Sequence, residues 1–198
     1  MESSLSDVSD VSDVSVSAWF HAHAHPGLTE FMLLISHWHS ILGVSVMAAA
    51  VGVLLYRRQQ HDWLRLLILS VPGGMLLNAA LKQVFQRSRP HFDHPLVTLD
   101  SYSFPSGHTA AATLFYGFLM LLLLQRPGQS AAQRSAIVAG AVLMVLLVAT
   151  SRVYLGAHYL SDVLAAMLEG MLWLTLSVAL VRVCQRRRAD AESATAKL

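Results

Sequence analysis

Three short stretches hold side chains of the kinds that move phosphoryl groups. LKQVFQRSRP, residues 81–90, carries Lys82, Arg87 and Arg89; FPSGHT, residues 104–109, carries Ser106, Gly107 and His108; SRVYLGAHYLSD, residues 151–162, carries Arg152, His158 and Asp162. Lysine brings a point charge to a phosphate, and arginine a planar fork that matches its oxygens. Ser106 suits the N-cap of the apolar helix that follows, and Gly107 lets backbone come close to a ligand. The amides of a helix N-terminus bind anions, phosphate above all. His158 and Asp162 are i, i+4 and share a helix face. A carboxylate so placed fixes the tautomer of an imidazole and stabilises its charged form. His108 stands at another helix mouth, and an imidazole, with its reference pKa of about 6.5, suits the donation of a proton to a leaving oxygen. The combination spells phosphoryl transfer through a phosphohistidine. Lys82, Arg89 and Arg152 would neutralise the developing charge, so no metal-ligand set is needed. Arg87, taken alone, reads as a side chain snorkelling to lipid headgroups.

The elements that must position these residues are membrane helices. Of 198 residues, 55% are hydrophobic and 13% charged, against about 25% charged in a soluble domain. Residues 31–56, 66–81, 106–125 and 135–151 contain no Asp, Glu, Lys or Arg, and residues 163–181 contain only Glu169. A bilayer core requires roughly 20 apolar residues per helix. The blocks predict an all-α, polytopic membrane helix bundle of five transmembrane helices, with room for a short interfacial helix before the first. They show no alternation, which argues against a β-barrel. The net charge of +2 gives no support for a nucleic-acid partner, and the single Cys184 excludes an internal disulfide framework.

Arg57, Arg58 and Arg65, then Arg126 and Arg134, then Arg182, Arg186, Arg187 and Arg188 occupy alternate connections. They place those connections in the cytoplasm and all three chemical clusters on the opposite face. Lys82, Arg87, Arg89 and Arg152 break that charge rule, and an anionic ligand explains them better than topology does. The repeat SDVSDVSDV, at residues 6–14, carries neither a basic nor an apolar leader segment. Residues 1–17 are expected to form a disordered acidic tail, residues 18–185 the membrane-embedded domain, and residues 186–198 a cytoplasmic basic and polar tail. His21, His23 and His25 alternate, but no cysteine or carboxylate cluster accompanies them as a ligand set would; Trp19, Phe20 and Trp38 beside them suit a headgroup-level segment. His91, Asp93 and His94 lie where they could touch a headgroup. Asn78 and Glu169 are polar residues inside spans, and Tyr102 and Phe104 suit the rim of a lipid portal.

At Lys82…Arg89-Pro90, Pro105-Ser106-Gly107-His108 and Ser151-Arg152…His158…Asp162 the sequence resembles the type 2 phosphatidic acid phosphatase family of membrane lipid phosphatases. That family shares its site with bacterial acid phosphatases and vanadium haloperoxidases. The resemblance covers residues 73–165, and every spacing fits. It implies a helical core of the lipid phosphatase/haloperoxidase type. It also implies His158 as nucleophile, Asp162 as its orienting partner and His108 as general acid. Lys82, Arg89, Ser106, Gly107 and Arg152 would hold the phosphate, with no metal and no cofactor. The expected activity is hydrolysis of the phosphate monoester or diphosphate of a membrane lipid such as undecaprenyl diphosphate, phosphatidylglycerophosphate or phosphatidate. The partners are then the bilayer and its lipid phosphate, and the site faces the periplasm or exterior of a bacterial cell membrane. A lipid phosphotransferase on the same scaffold, or a lipid-phosphate carrier without turnover, fits the same residues; a soluble haloperoxidase does not fit the five spans.

Overall fold

The computed structural model describes residues 3–92 and 95–195, so Asp93 and His94 lie outside the described residues. Every regular element among those residues is a helix: α1 Ser3–Ala22, α2 Pro26–Trp38, α3 Ile41–Arg57, α4 His61–Phe85, α5 Gly107–Leu124, α6 Ala131–Tyr154 and α7 Leu160–Thr195. Four of them, α4 to α7, are each long and apolar enough to cross a membrane. The fifth crossing predicted from sequence falls on α2 and α3, which are bent by 51° to each other and are long and apolar enough to cross only when taken together as one span. Ser40 makes the break, its hydroxyl accepting from the Gly43 amide as the N-cap of α3. Ahead of that pair, where a short interfacial helix is expected, stands α1.

The centre of the bundle is α5, which packs on α3, α4, α6 and α7. Its first turns are built from small residues, with Ala110, Ala111, Ala112 and Thr113 all buried. Small side chains let neighbouring backbones approach, the usual route to tight packing between membrane helices. Gly74 of α4 meets this surface so closely that a methyl group there would lie 2.4 Å from a Leu114 side-chain carbon. Val44, Leu67, Val71, Leu114, Phe115 and Phe118 form the apolar core between these helices.

The N-terminal segment differs from expectation. In place of the disordered acidic tail expected over residues 1–17, helix runs from Ser3 through this segment, and α1 packs on α6 and α7. Asp13, Val16, Ser17 and Phe20 stand at i, i+3, i+4 and i+7, one helix face. Asp13 and Ser17 are buried, and Val16 and Phe20 pack with Ala149, Val153 and Val163. An amphipathic stripe only four residues long was hidden by the low hydrophobicity of the repeat around it. The boundary drawn at residue 186 is also not a structural one, because α7 continues to Thr195.

Candidate active site

The cluster is assembled from three connections and the helix ends that flank them. The helix α4 stops at Phe85, where Gln86 takes a left-handed conformation with φ 46°. Lys82 therefore reaches the site from the last helical turn and Arg89 from the irregular segment that follows it. They converge on one carbonyl, that of Tyr102. Lys82 Nζ donates to Tyr102 O at 2.8 Å and to Ser103 O at 3.3 Å. Arg89 Nη2 donates to Tyr102 O at 3.2 Å and to Ser101 Oγ at 2.9 Å, while its Nε donates to Ser101 O at 2.6 Å.

The turn before α5 docks on both other clusters. The Ser106 amide donates to the Asp162 carbonyl at 3.1 Å. A Cβ on Gly107 would lie 3.3 Å from Asn78 Oδ1 and 3.7 Å from Lys82 Cε. Ser106 stands at the N-cap position but its hydroxyl caps no amide; it accepts instead from Thr109 Oγ1 at 3.1 Å. The first amides of α5 thus have no side-chain cap. His108 follows in the first turn, within charge–charge reach of His158, Arg89 and Arg152.

Asp162 is fully buried and heavily solvated by protein donors. Its Oδ2 accepts from Ser103 Oγ at 2.5 Å and from the Tyr159 amide at 2.9 Å, and its Oδ1 accepts from Arg87 Nη1 at 2.7 Å. His158 Nδ1 faces both Asp162 Oδ2 and Ser103 Oγ at 3.5 Å. On the other side of the ring, Arg89 Nη1 donates to His158 Nε2 at 3.3 Å and to Ala157 O at 2.5 Å. A guanidinium can only donate, so Nε2 carries the lone pair and the ring proton sits on Nδ1, toward the carboxylate. Burial pushes the His158 imidazole down to about 3; the charges of Arg152 and Arg89 add to this, and the hydrogen bond to Asp162 opposes it. The ring is therefore neutral at physiological pH.

Arg152 is buried, and its Nη1 donates to Ser36 Oγ of α2. Its Nε is buried with no partner among the described residues. No carboxylate lies within ion-pair distance of Lys82, Arg89 or Arg152 among the described residues. Burying cations without counter-charge is costly, so this corner is built for an anion.

All eight residues singled out for chemistry come together at this end of the bundle. Sequence reading missed three others. Arg87 is not a snorkelling side chain; it bridges Asp162 and Asp13, and these hydrogen bonds raise its pKa against the opposing effect of burial. Ser103 lies inside the motif loop but is not part of its pattern. Ser36 stands in an apolar stretch with no local signal. The three alternating histidines separate: His21 stacks on Phe92, His23 bonds the Trp19 carbonyl, and His25 precedes α2 with its amide on Tyr154. Asn78 Nδ2 donates to Glu169 Oε2 at 2.9 Å, joining α4 to α7 beneath the site. Beside this pair, Leu77, Leu81, Phe85, Phe104, Pro105 and Trp173 line an apolar cleft of about 450 Å³.

Known proteins are similar to this chain in sequence and in fold. The family model of the PAP2 superfamily matches residues 63–186, more than half of the chain. Phosphatidylglycerophosphatase B of Bacillus subtilis (strain 168) is 38% identical over 151 residues, 74% of this chain and 72% of that protein. The crystal structure of a transmembrane PAP2-type phosphatidylglycerolphosphate phosphatase from Bacillus subtilis superposes with a TM-score of 0.78 at 30% identity, covering 86% of this chain and 85% of that one. The crystal structure of Aquifex aeolicus LpxE shares the fold, with a TM-score of 0.67 at 23% identity over 84% of this chain and 94% of that one.

Proposed function

The chain belongs to the PAP2 superfamily, and on that footing we propose that it releases phosphate from a membrane lipid by way of a phosphohistidine at His158. The observation that carries this reading is the charge pattern. Lys82, Arg89 and Arg152 lack carboxylate partners among the described residues, while a neutral imidazole presents its Nε2 lone pair beside Arg89. A phosphate held by those cations and by the α5 amides would stand at that lone pair.

In the first step Nε2 attacks phosphorus and the bond from phosphorus to the lipid oxygen breaks. His108 gives its proton to that oxygen, so the lipid leaves as an alcohol, or as a monophosphate from a diphosphate. Asp162 stabilises the charge that develops on the imidazole through Nδ1–H. In the second step His108 takes a proton from water, whose oxygen attacks phosphorus. The P–N bond breaks, inorganic phosphate leaves and His158 returns to its neutral form. The cations stabilise the charge on the equatorial oxygens in both steps.

The apolar cleft beside Phe104 and Trp173 supports a substrate that arrives sideways from the bilayer with its chain along α4 and α7. Phosphatidylglycerophosphate is the first candidate, because the 38% identical relative is a phosphatidylglycerophosphatase. The arginine-rich connections at the other end of the bundle support a site on the outer face of a bacterial cell membrane. Purified enzyme should release phosphate from phosphatidylglycerophosphate faster than from phosphatidate or undecaprenyl diphosphate, and His158→Ala should release none while remaining monodisperse. Turnover by that variant would end this reading.

A further inference from the structure

Arg87 has two carboxylate arms, and the second comes from the N-terminal helix. Its Nη1 donates to Asp162 Oδ1 and to Ser161 Oγ, both at 2.7 Å, and its Nη2 donates to Asp13 Oδ2 at 3.0 Å. Asp13 also accepts the Ser161 amide on Oδ1 at 2.9 Å and the Ser161 hydroxyl on Oδ2. Its side chain is only 4% exposed. Such burial is tolerated only because every oxygen of Asp13 has a donor. Val16 and Phe20 hold this face of α1 in place: Phe20 meets Tyr154 edge-on at 6.0 Å, and Val16 packs with Val153 and Val163.

We propose that Asp13 is a positioning residue for the phosphoryl transfer: through Arg87 it keeps the Asp162 carboxylate turned toward His158. This rests on the reading of His158 and Asp162 given above. Two carboxylates on one planar guanidinium fix its plane as well as its place. The Tyr159 ring lies 4.3 Å from the Arg87 guanidinium carbon and closes a third side. Without the Asp13 charge, Arg87 has one fewer anion to satisfy and draws more strongly on Asp162. That competes with His158 Nδ1–H for the same carboxylate, on the side opposite the reacting nitrogen. Asp13 touches no reacting atom, so its influence falls on the chemical step rather than on lipid binding.

The test is a kinetic cycle of Asp13→Asn, Arg87→Gln and the double variant, with His158→Ala alongside. Phosphate release from phosphatidylglycerophosphate in detergent micelles is measured per mole of monodisperse protein, so that misfolded enzyme does not count as slow enzyme. Asp13→Asn should lower kcat roughly 10- to 100-fold, the cost of small misplacements remote from the reacting atoms, with KM essentially unchanged. Asp13→Glu should recover part of that loss. The double variant should be no slower than Arg87→Gln alone, since one residue acts through the other. An unchanged kcat in Asp13→Asn, a loss confined to KM, or penalties that multiply in the double variant would overturn the proposal. If His158→Ala is inactive while Asp13→Asn is as fast as wild type, this inference alone fails; if His158→Ala turns over, the underlying mechanism fails with it.

Discussion

Arg89 Nη1 donates to His158 Nε2 at 3.3 Å, on the opposite side of the ring from Asp162. A donor that cannot accept thus fixes which imidazole nitrogen carries the lone pair. It also leaves a cation at the point where that lone pair would meet a phosphate.

The protonation of His158 follows from its burial. With its pKa at about 3 in the folded enzyme and near 6.5 in an unfolded chain, the unfolded state binds the extra proton between those values. The contribution of His158 to stability is therefore intact above about pH 6.5 and declines as pH falls toward about 3. Nitrogen-15 spectra of histidine-labelled enzyme should show His158 as the neutral Nδ1–H tautomer from about pH 8 down to about pH 5. The His158→Gln variant should lose less of its thermal midpoint than wild type over that interval. A His158 resonance titrating at the ordinary imidazole value would refute the assigned environment.

Ser103 is expected to act on rate and not on affinity. Its hydroxyl donates to Asp162 Oδ2 at 2.5 Å and sits 3.5 Å from His158 Nδ1. Ser103→Ala leaves a buried carboxylate oxygen short of a donor, a loss of about 1–3 kcal/mol. If it falls on the transition state, kcat drops roughly 10- to 100-fold at constant KM. Steady-state kinetics on phosphatidylglycerophosphate check this, and an unchanged kcat would remove Ser103 from the site.

The fold class was legible because charge-free blocks of helix length admit few alternatives. That eight residues from three stretches would gather at one end of the bundle was legible because their types stand at span ends, at spacings that suit phosphate binding. What the sequence hid was pairing across distance. Arg87 looks like a span-end cation until α1 brings Asp13 to it, 74 residues away. Ser36 gives no sign of its bond to Arg152 across 116 residues. The acidic repeat reads as disorder by composition, since only the face carrying Asp13, Val16, Ser17 and Phe20 is needed for docking. The bend at Ser40 was likewise invisible in a hydropathy profile that runs through it.

Arg152→Lys should behave as a drastic change. Arg152 spends Nη1 on Ser36 and keeps a buried Nε that has no partner among the described residues. A lysine cannot present two separate nitrogens to a hydroxyl and to a phosphate. We expect KM to rise and kcat/KM to fall roughly 100-fold, the loss of about 2–3 kcal/mol from a charge-assisted hydrogen bond. Ser36→Ala should reproduce a smaller part of the same loss. Wild-type kinetics in Arg152→Lys would show that Arg152 serves packing alone.

Gly156 sets the turn that delivers His158. Its φ is +67°, and a Cβ there would lie 2.8 Å from Phe92 Cε2. Gly156→Ala combines a left-handed backbone penalty of about 1–2 kcal/mol with a clash against an aromatic ring. The thermal midpoint in detergent should fall and activity with it. Gly156→Ala with Phe92→Leu should recover part of the midpoint, because the steric component is relieved and the backbone component is not. Failure of the second substitution to recover anything would place the cost in the backbone alone.

Whether the phosphoryl group passes through His158 is decided by trapping the covalent intermediate. Enzyme with His108→Ala, which lacks the acid and base of both steps, is mixed with a lipid monophosphate carrying a good leaving group and quenched in alkali during turnover. An acid-labile, alkali-stable phosphate should appear on the peptide containing His158 and be absent when His158→Ala is added. Phosphate release that proceeds in His158→Ala, or a trapped phosphate on any other residue, would contradict that route.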